Sequence, residues 1–311
     1  MRLSEKEKQV TVRSTGRGCG GPSTMPVIWL ASFPKSGNTW MRFLLARLLF
    51  GPVASSAELE CLIPDIHEPR MGPDAPPCRL HQGHLLLKTH WTFDVAEQQG
   101  RRTAGAIYLV RDPRDMLVSL FRYFRATTPA ARDRLLTNFV ETGGSTPEFV
   151  GFGFGNWRQH VESWLVAAPR RVPVLLVRYE DMLARPRAEL RRLAEALGME
   201  VEDGELDACI EDSRIDRLRA IEQRDARTGT GVFGRLARSK GEGFTFFPSG
   251  RAGSHRELLR RSELRLLEPL FEPWLTHLGY EAGSSAKADG TAVTSRTLAD
   301  TAVGNPRPTP G

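Results

Sequence analysis

The chain has 311 residues, 40% of them hydrophobic and 26% charged, so it can bury a core, and a disordered or collagenous chain is excluded. Its 43 Lys and Arg against 37 Asp and Glu leave a formal charge of +6, which favours an anionic partner without choosing between nucleic acid, a membrane surface and a phosphorylated small molecule. Cys19, Cys61, Cys78 and Cys209 form no C-x-x-C pair, so neither a zinc site nor a disulfide framework is indicated, and a reducing, cytoplasmic setting is expected. No apolar h-region opens the chain and no stretch approaches ~18 uninterrupted apolar residues, so export and membrane insertion are not expected.

Residues 1–24 and 282–311 are rich in Gly, Ser, Thr, Ala and Pro with little apolar periodicity, so a flexible N-terminal segment and a disordered tail are expected around one folded body at 25–281. Short apolar runs at Val27–Phe33, Leu85–Thr89, Ala106–Val110 and Val174–Arg178 read as buried strands. Apolar residues at i, i+3, i+4 spacing predict helices over Trp40–Leu49, Asp115–Arg125, Trp157–Val166, Pro186–Leu197 and Leu206–Ile221, and Ser254 to Glu257 reads as a capping box opening a C-terminal helix. Strands alternating with helices predict a single-domain α/β fold, a P-loop-like central parallel sheet flanked by helices on both faces. The long irregular segments Gly51–His84 and Arg224–Gly253 are expected to act as lids or binding loops.

The sharpest local pattern is a strand, Val27–Phe33, that enters the polar turn Pro34-Lys35-Ser36-Gly37-Asn38-Thr39-Trp40 and then a helix. Such a turn aims backbone N–H groups and the positive end of a helix dipole at one point, and Lys35, Ser36 and Thr39 add a charge and hydroxyl donors. The Walker A spacing is absent, because Lys35 precedes the only glycine, Gly37. Only six of the basic residues are Lys, and Lys35 and Lys88 stand at the ends of buried strands, where a compact ammonium suits an anion better than a guanidinium fork.

The second strand ends in Lys88-Thr89-His90, at the edge where open α/β sheets bind ligands, and a histidine there suits a general base. The third ends in Arg111-Asp112-Pro113-Arg114-Asp115, and Ser119 lies two turns into the following helix, so Arg111 and Ser119 converge on a second anion if the ligand lies along that helix. Capping and ion pairing account equally well for that run taken alone. His81 and His84 form H-x-x-H without an evident third ligand, so no metal site is expected.

Together these blocks resemble the cytosolic sulfotransferase superfamily, enzymes that move a sulfuryl group from 3′-phosphoadenosine 5′-phosphosulfate (PAPS) to a hydroxyl or amine, and the resemblance covers about residues 27–280. It implies PAPS as donor, no metal, and a small-molecule acceptor. By resemblance, Lys35, Ser36, Gly37, Asn38, Thr39 and Trp40 form the 5′-phosphosulfate loop, and Arg111 with Ser119 holds the 3′-phosphate. His90 becomes the catalytic base, assisted by Lys35 and Lys88, while Trp40 and Tyr179 approach the adenine together with Ser213 and Ile215. The family loop that opens Arg-Lys-Gly reads Pro248-Ser249-Gly250-Arg251 here. By the resemblance this removes two basic residues from the 3′-phosphate clamp and leaves the Gly250 N–H, with Arg251 or Lys240 to supply the missing charge.

The acceptor is expected beside His90, under Gly51–His84 and Thr127–Gly155, the latter carrying Phe149, Phe152 and Phe154. The whole is similar to bacterial small-molecule sulfotransferases, including those that tailor natural products, and no match to the family's dimerisation motif implies an oligomeric state. Two rivals stand beside this expectation, a P-loop-type nucleotide kinase and a non-catalytic nucleotide-binding module. The missing Walker A spacing weighs against the first, and Lys35, Lys88 and His90 against the second. Arginines interleaved with acids, as in Arg187 to Glu195, weigh against a nucleic-acid partner.

Overall fold

In the computed structural model, which describes residues 25–67, 80–241, 243–248 and 250–280, five strands form one sheet. They are β1 (Val27–Ser32), β2 (Leu80–His81), β3 (His84–Thr89), β4 (Thr103–Val110) and β5 (Val174–Arg178), in the order β2-β3-β1-β4-β5. β3, β1, β4 and β5 run parallel, and β2 joins only as the antiparallel arm of a hairpin turned by Gln82 and Gly83, both at positive φ. The expected segments 1–24 and 282–311, and Ser249, lie outside the described residues.

Strand periodicity divides the core. Val27, Trp29 and Ala31 of β1 face one way with Leu85, Leu87, Ala106 and Tyr108, against helices Pro113–Tyr123, Trp157–Glu162 and Arg261–Phe271. Ile28 and Leu30 face the other way with Leu86, Ile107, Leu109 and Val177, against helices Asn38–Phe50, Pro186–Ala196 and Asp203–Asp212. Helices therefore cover both faces, as the continuous apolar strands require. Among the described residues no helix is long and apolar enough to cross a membrane.

Several expectations are corrected. The single helix expected over Leu206–Ile221 is two, Asp203–Asp212 and Ile215–Thr228, because the chain turns at Ser213 and Arg214, where Arg214 takes an extended conformation. The Gly51–His84 segment contains a helix, Ser56–Leu62, capped by Ser55. Arg224–Gly253 completes one helix and carries another, Gly231–Lys240, and Thr127–Gly155 holds Pro129–Glu141 and Pro147–Gly151. Ser254 forms no capping box: its backbone is already helical, and the reciprocal cap is built by Arg260 and Glu263.

Candidate functional site

β1 and β4 lie side by side, yet the chain leaves them in opposite directions across the sheet, so their carboxyl ends border a crevice at a topological switch point. After β1, Lys35 (φ 69°) and Gly37 (φ 95°) take left-handed conformations, which turn the loop tightly into the helix starting at Asn38. A Cβ on Gly37 would stand 2.5 Å from Cδ2 of Tyr179, so glycine is demanded by both backbone and neighbour. Asn38 fastens the helix start to β1, its amide donating to the Leu30 carbonyl at 3.2 Å and the Ser32 hydroxyl at 3.0 Å. Ser36 is buried and its hydroxyl meets Sδ of Met116 at 3.7 Å, while Thr39 and Ser119 are half-buried.

His90, just past β3, is held from three directions. Its Nδ1 donates to the Ser32 carbonyl at 2.6 Å, its backbone N–H donates to Nε2 of His67 at 2.8 Å, and its carbonyl accepts from Nε2 of His160 at 3.1 Å. His160 in turn accepts from the Tyr108 hydroxyl at 3.0 Å through Nδ1. With its proton on Nδ1, His90 keeps an Nε2 lone pair available, the tautomer a base needs. Burial, then the positive charge of Lys88, pulls the His90 imidazole well below its ordinary value, so it stays neutral at pH 7.

Lys88 Nζ is buried against Oδ2 of Asp65 at 2.6 Å. Burial raises the cost of charge on both, but Lys88, Arg42 and His67 hold the Asp65 carboxyl far below the usual carboxylate range, and the pair is ionic. Asp65 and His67 were not foreseen from sequence. Asp65 forms an isolated bridge with the end of β3 and His67 lies in the turn after it, Lys88 N–H donating to the Pro64 carbonyl at 2.8 Å and Ile66 N–H to the Lys88 carbonyl at 3.2 Å. Arg42, from the helix after β1, anchors that segment through the Ile63 carbonyl and Glu60.

The remaining expected residues gather around Tyr179. Trp40 meets it edge-on with centroids 5.6 Å apart and donates from Nε1 to the Ser213 carbonyl at 3.1 Å. The Arg111 guanidinium lies 4.4 Å from the Tyr179 centroid and donates to the carbonyls of Lys35 at 3.2 Å and Arg251 at 3.1 Å. Gly250 packs on Ile215, whose Cδ1 would be 2.6 Å from an added Cβ. Asp115 closes this side by accepting from Gly253 N–H at 2.6 Å and from His255. Lys35 Nζ rests 4.2 Å from the Tyr123 centroid and 4.8 Å from Phe246. Burial, then Arg111, Lys240 and Lys88, lowers its pKa to about 7.

His81 and His84 pair across the β2–β3 hairpin, and His81 donates from Nε2 to the Leu197 carbonyl at 3.0 Å. Among the described residues no group of three or more His, Cys, Asp or Glu could hold a metal ion. Beside His90, Phe154 is buried with its centroid 5.6 Å from the imidazole and 4.9 Å from His67. Phe149 stands 5.8 Å from Phe154, whereas Phe152 is exposed.

These elements define an open parallel α/β protein whose cations, neutral histidine and stacked aromatics meet at the carboxyl ends of its strands. Residues 26–279 match the sulfotransferase domain, and the chain belongs to that family. It is 23% identical to sulfotransferase 1A1 of Mus musculus over 202 residues, 62% of this chain and 66% of that protein, so it spans just under two thirds of that relative. It is 28% identical to cytosolic sulfotransferase 6 of Arabidopsis thaliana over 256 residues, 75% of this chain and 73% of that protein. Its fold is shared with mouse sulfotransferase SULT7A1 complexed with PAP, at TM-score 0.56 and 21% identity over 82% of this chain and 86% of that one. Retinol dehydratase in complex with androsterone and inactive cofactor PAP gives TM-score 0.57 at 17% identity, over 81% and 82%.

Proposed function

We propose that the chain transfers a sulfuryl group from PAPS to a hydroxyl or amine of a small-molecule acceptor, a natural product among the candidates, in the cytoplasm. The observation that carries this is the fixed tautomer of His90, whose Nδ1 hydrogen bond to Ser32 leaves Nε2 free at the strand ends where Lys35 stands. The residues fit an anionic adenine nucleotide. Trp40 and Tyr179 are aromatic, Lys35 and Gly37 at positive φ form the tight turn before the helix start at Asn38, and Arg111 can exchange its carbonyl contacts for a phosphate.

The donor supplies an activated sulfur whose bond to the 5′-phosphate oxygen breaks as the acceptor oxygen bonds to it. His90 takes the acceptor proton at Nε2, and Lys35 offsets the charge that grows on the departing oxygen. Lys88, tied to Asp65, stands beside His90, and its charge adds to burial in keeping the imidazole neutral. Arg111 and Ser119 take the 3′-phosphate, Ser36, Asn38 and Thr39 line the 5′ loop, and Ser213, Ile215 and Gly250 border the adenine. Phe149 and Phe154 form an apolar wall for the acceptor.

Calorimetric titration with 3′-phosphoadenosine 5′-phosphate, beside ATP and AMP with and without magnesium, tests this. Magnesium-independent binding of the bisphosphate is expected, followed by turnover of PAPS in an acceptor screen. Preference for magnesium ATP would move the chain to the kinases.

A further inference from the structure

Three of the chain's six lysines fall among the described residues, and all three converge on the crevice: the Lys35 ammonium feels both Lys88 and Lys240. A chain with 37 arginines thus keeps its compact cations for one place. Lys88 is matched by Asp65. Lys35 and Lys240 are not, since among the described residues neither has a carboxylate within 4.0 Å. Both instead rest on one ring, Lys240 Nζ at 4.0 Å and Lys35 Nζ at 4.2 Å from the Tyr123 centroid.

Lys240 is placed there by design of the backbone. It ends the helix Gly231–Lys240, Gly241 turns the chain at φ 78°, and Arg125 donates to the Lys240 carbonyl at 2.7 Å. A cation over an aromatic ring gains about 0.5–2 kcal/mol, but two ammonium groups sharing one ring repel each other, and among the described residues no carboxylate pairs with either. In the segment after it Pro248 carries no charge, and Arg251 is exposed.

We propose that Lys240 is a ligand of the donor's 5′ oxyanion, shared with Lys35 beside Tyr123 although the two lysines lie 205 positions apart in the chain. The proposal rests on the donor site described above, and it assigns Lys240 to the 5′ end because Lys35 belongs to the loop after β1.

The test is calorimetry on the full chain and its Lys240→Met, Lys240→Arg and Arg134→Met variants, the last removing an exposed cation elsewhere. The ligands are 3′-phosphoadenosine 5′-phosphate, AMP and adenosine 3′-monophosphate. Lys240→Met should bind the bisphosphate and AMP about ten-fold or more weakly, as expected for one lost charged contact, and the 3′-monophosphate unchanged. Lys240→Arg should recover most of the loss, and Arg134→Met should match the wild type.

Equal binding of the bisphosphate by wild type and Lys240→Met overturns the proposal, as does a loss confined to the 3′-monophosphate. Should Lys240→Met fail to fold, Lys240→Gln takes its place under the same criteria. Wild-type protein that binds no bisphosphate overturns the donor site itself, a result separable from failure of Lys240 alone. A second readout follows from charge: without Lys240, the loss of bisphosphate affinity with rising pH should move to higher pH, whereas Lys240→Arg should leave it in place.

Discussion

His90 Nδ1 lies 2.6 Å from the Ser32 carbonyl, a bond that ties the imidazole of one strand end to the backbone of its neighbour. A carbonyl only accepts, so the ring is locked in the tautomer that presents Nε2 as a base. His90→Ala should lower kcat by about a hundred- to ten-thousand-fold with bisphosphate affinity nearly unchanged. Near wild-type turnover would remove His90 from the mechanism.

If Lys35 meets the donor as proposed, it should set the alkaline side of the pH profile. Its pKa of about 7 reflects burial first, then Arg111, Lys240 and Lys88, with Tyr123 and Phe246 as the facing rings. Deprotonation removes the charge that meets the donor, so kcat/KM should fall as pH rises through about 7. Lys35→Arg, which stays charged, should lose that limb even if its maximum is lower. A profile flat from pH 6 to 9 in the wild type contradicts this.

The Asp65–Lys88 pair is 8% and 6% exposed, so removing one partner strands a buried charge. Asp65→Ala should cost about 3–5 kcal/mol in urea unfolding, while the double change Asp65→Leu with Lys88→Met should cost clearly less. Additive losses in the double variant would show that the two side chains act separately.

Acid should loosen the fold before carboxylates titrate. Burial lowers both His67 and His160 to about 3, and His90 falls well below its ordinary value. Each is neutral when folded but gains a proton when unfolded below about 6.5, so their contribution is intact above that pH and declines as pH falls toward the folded values. Tm should therefore drop between pH 7 and 5, at up to about 1.4 kcal/mol per unit for each histidine, and less steeply in His160→Gln. A Tm that rises over this interval is the contrary outcome.

Gly37→Ala should impair both stability and binding. The added methyl combines a φ of 95° with a 2.5 Å approach to the Tyr179 ring, so Tyr179 must leave Trp40 to make room. Weaker bisphosphate binding together with a lower Tm is expected, and an unchanged affinity would place the adenine elsewhere.

What sequence disclosed and what it concealed follow physical lines. β5 was legible to the residue because an apolar run bounded by Pro173 and the Arg178-Tyr179 pair has no other covered place in a parallel sheet. The loop of Lys35 and the strand-end position of His90 were legible for the same local reasons. The break at Ser213 was not, since apolar spacing continued through it and the Trp40 hydrogen bond to the Ser213 carbonyl comes from 173 residues away. Asp65 and His67 were hidden likewise, because their meaning comes from pairing with β3 across more than 20 residues.

The clamp on His90 has a practical corollary. The hydrogen bonds of His67 and His160 reach its main chain and not its imidazole, so the peptide at position 90 should keep its course whatever side chain it carries. On the proposed function an alanine there would remove the base and spare the mould around it. The silenced form would then be the one in which donor and acceptor can be held together long enough to be seen.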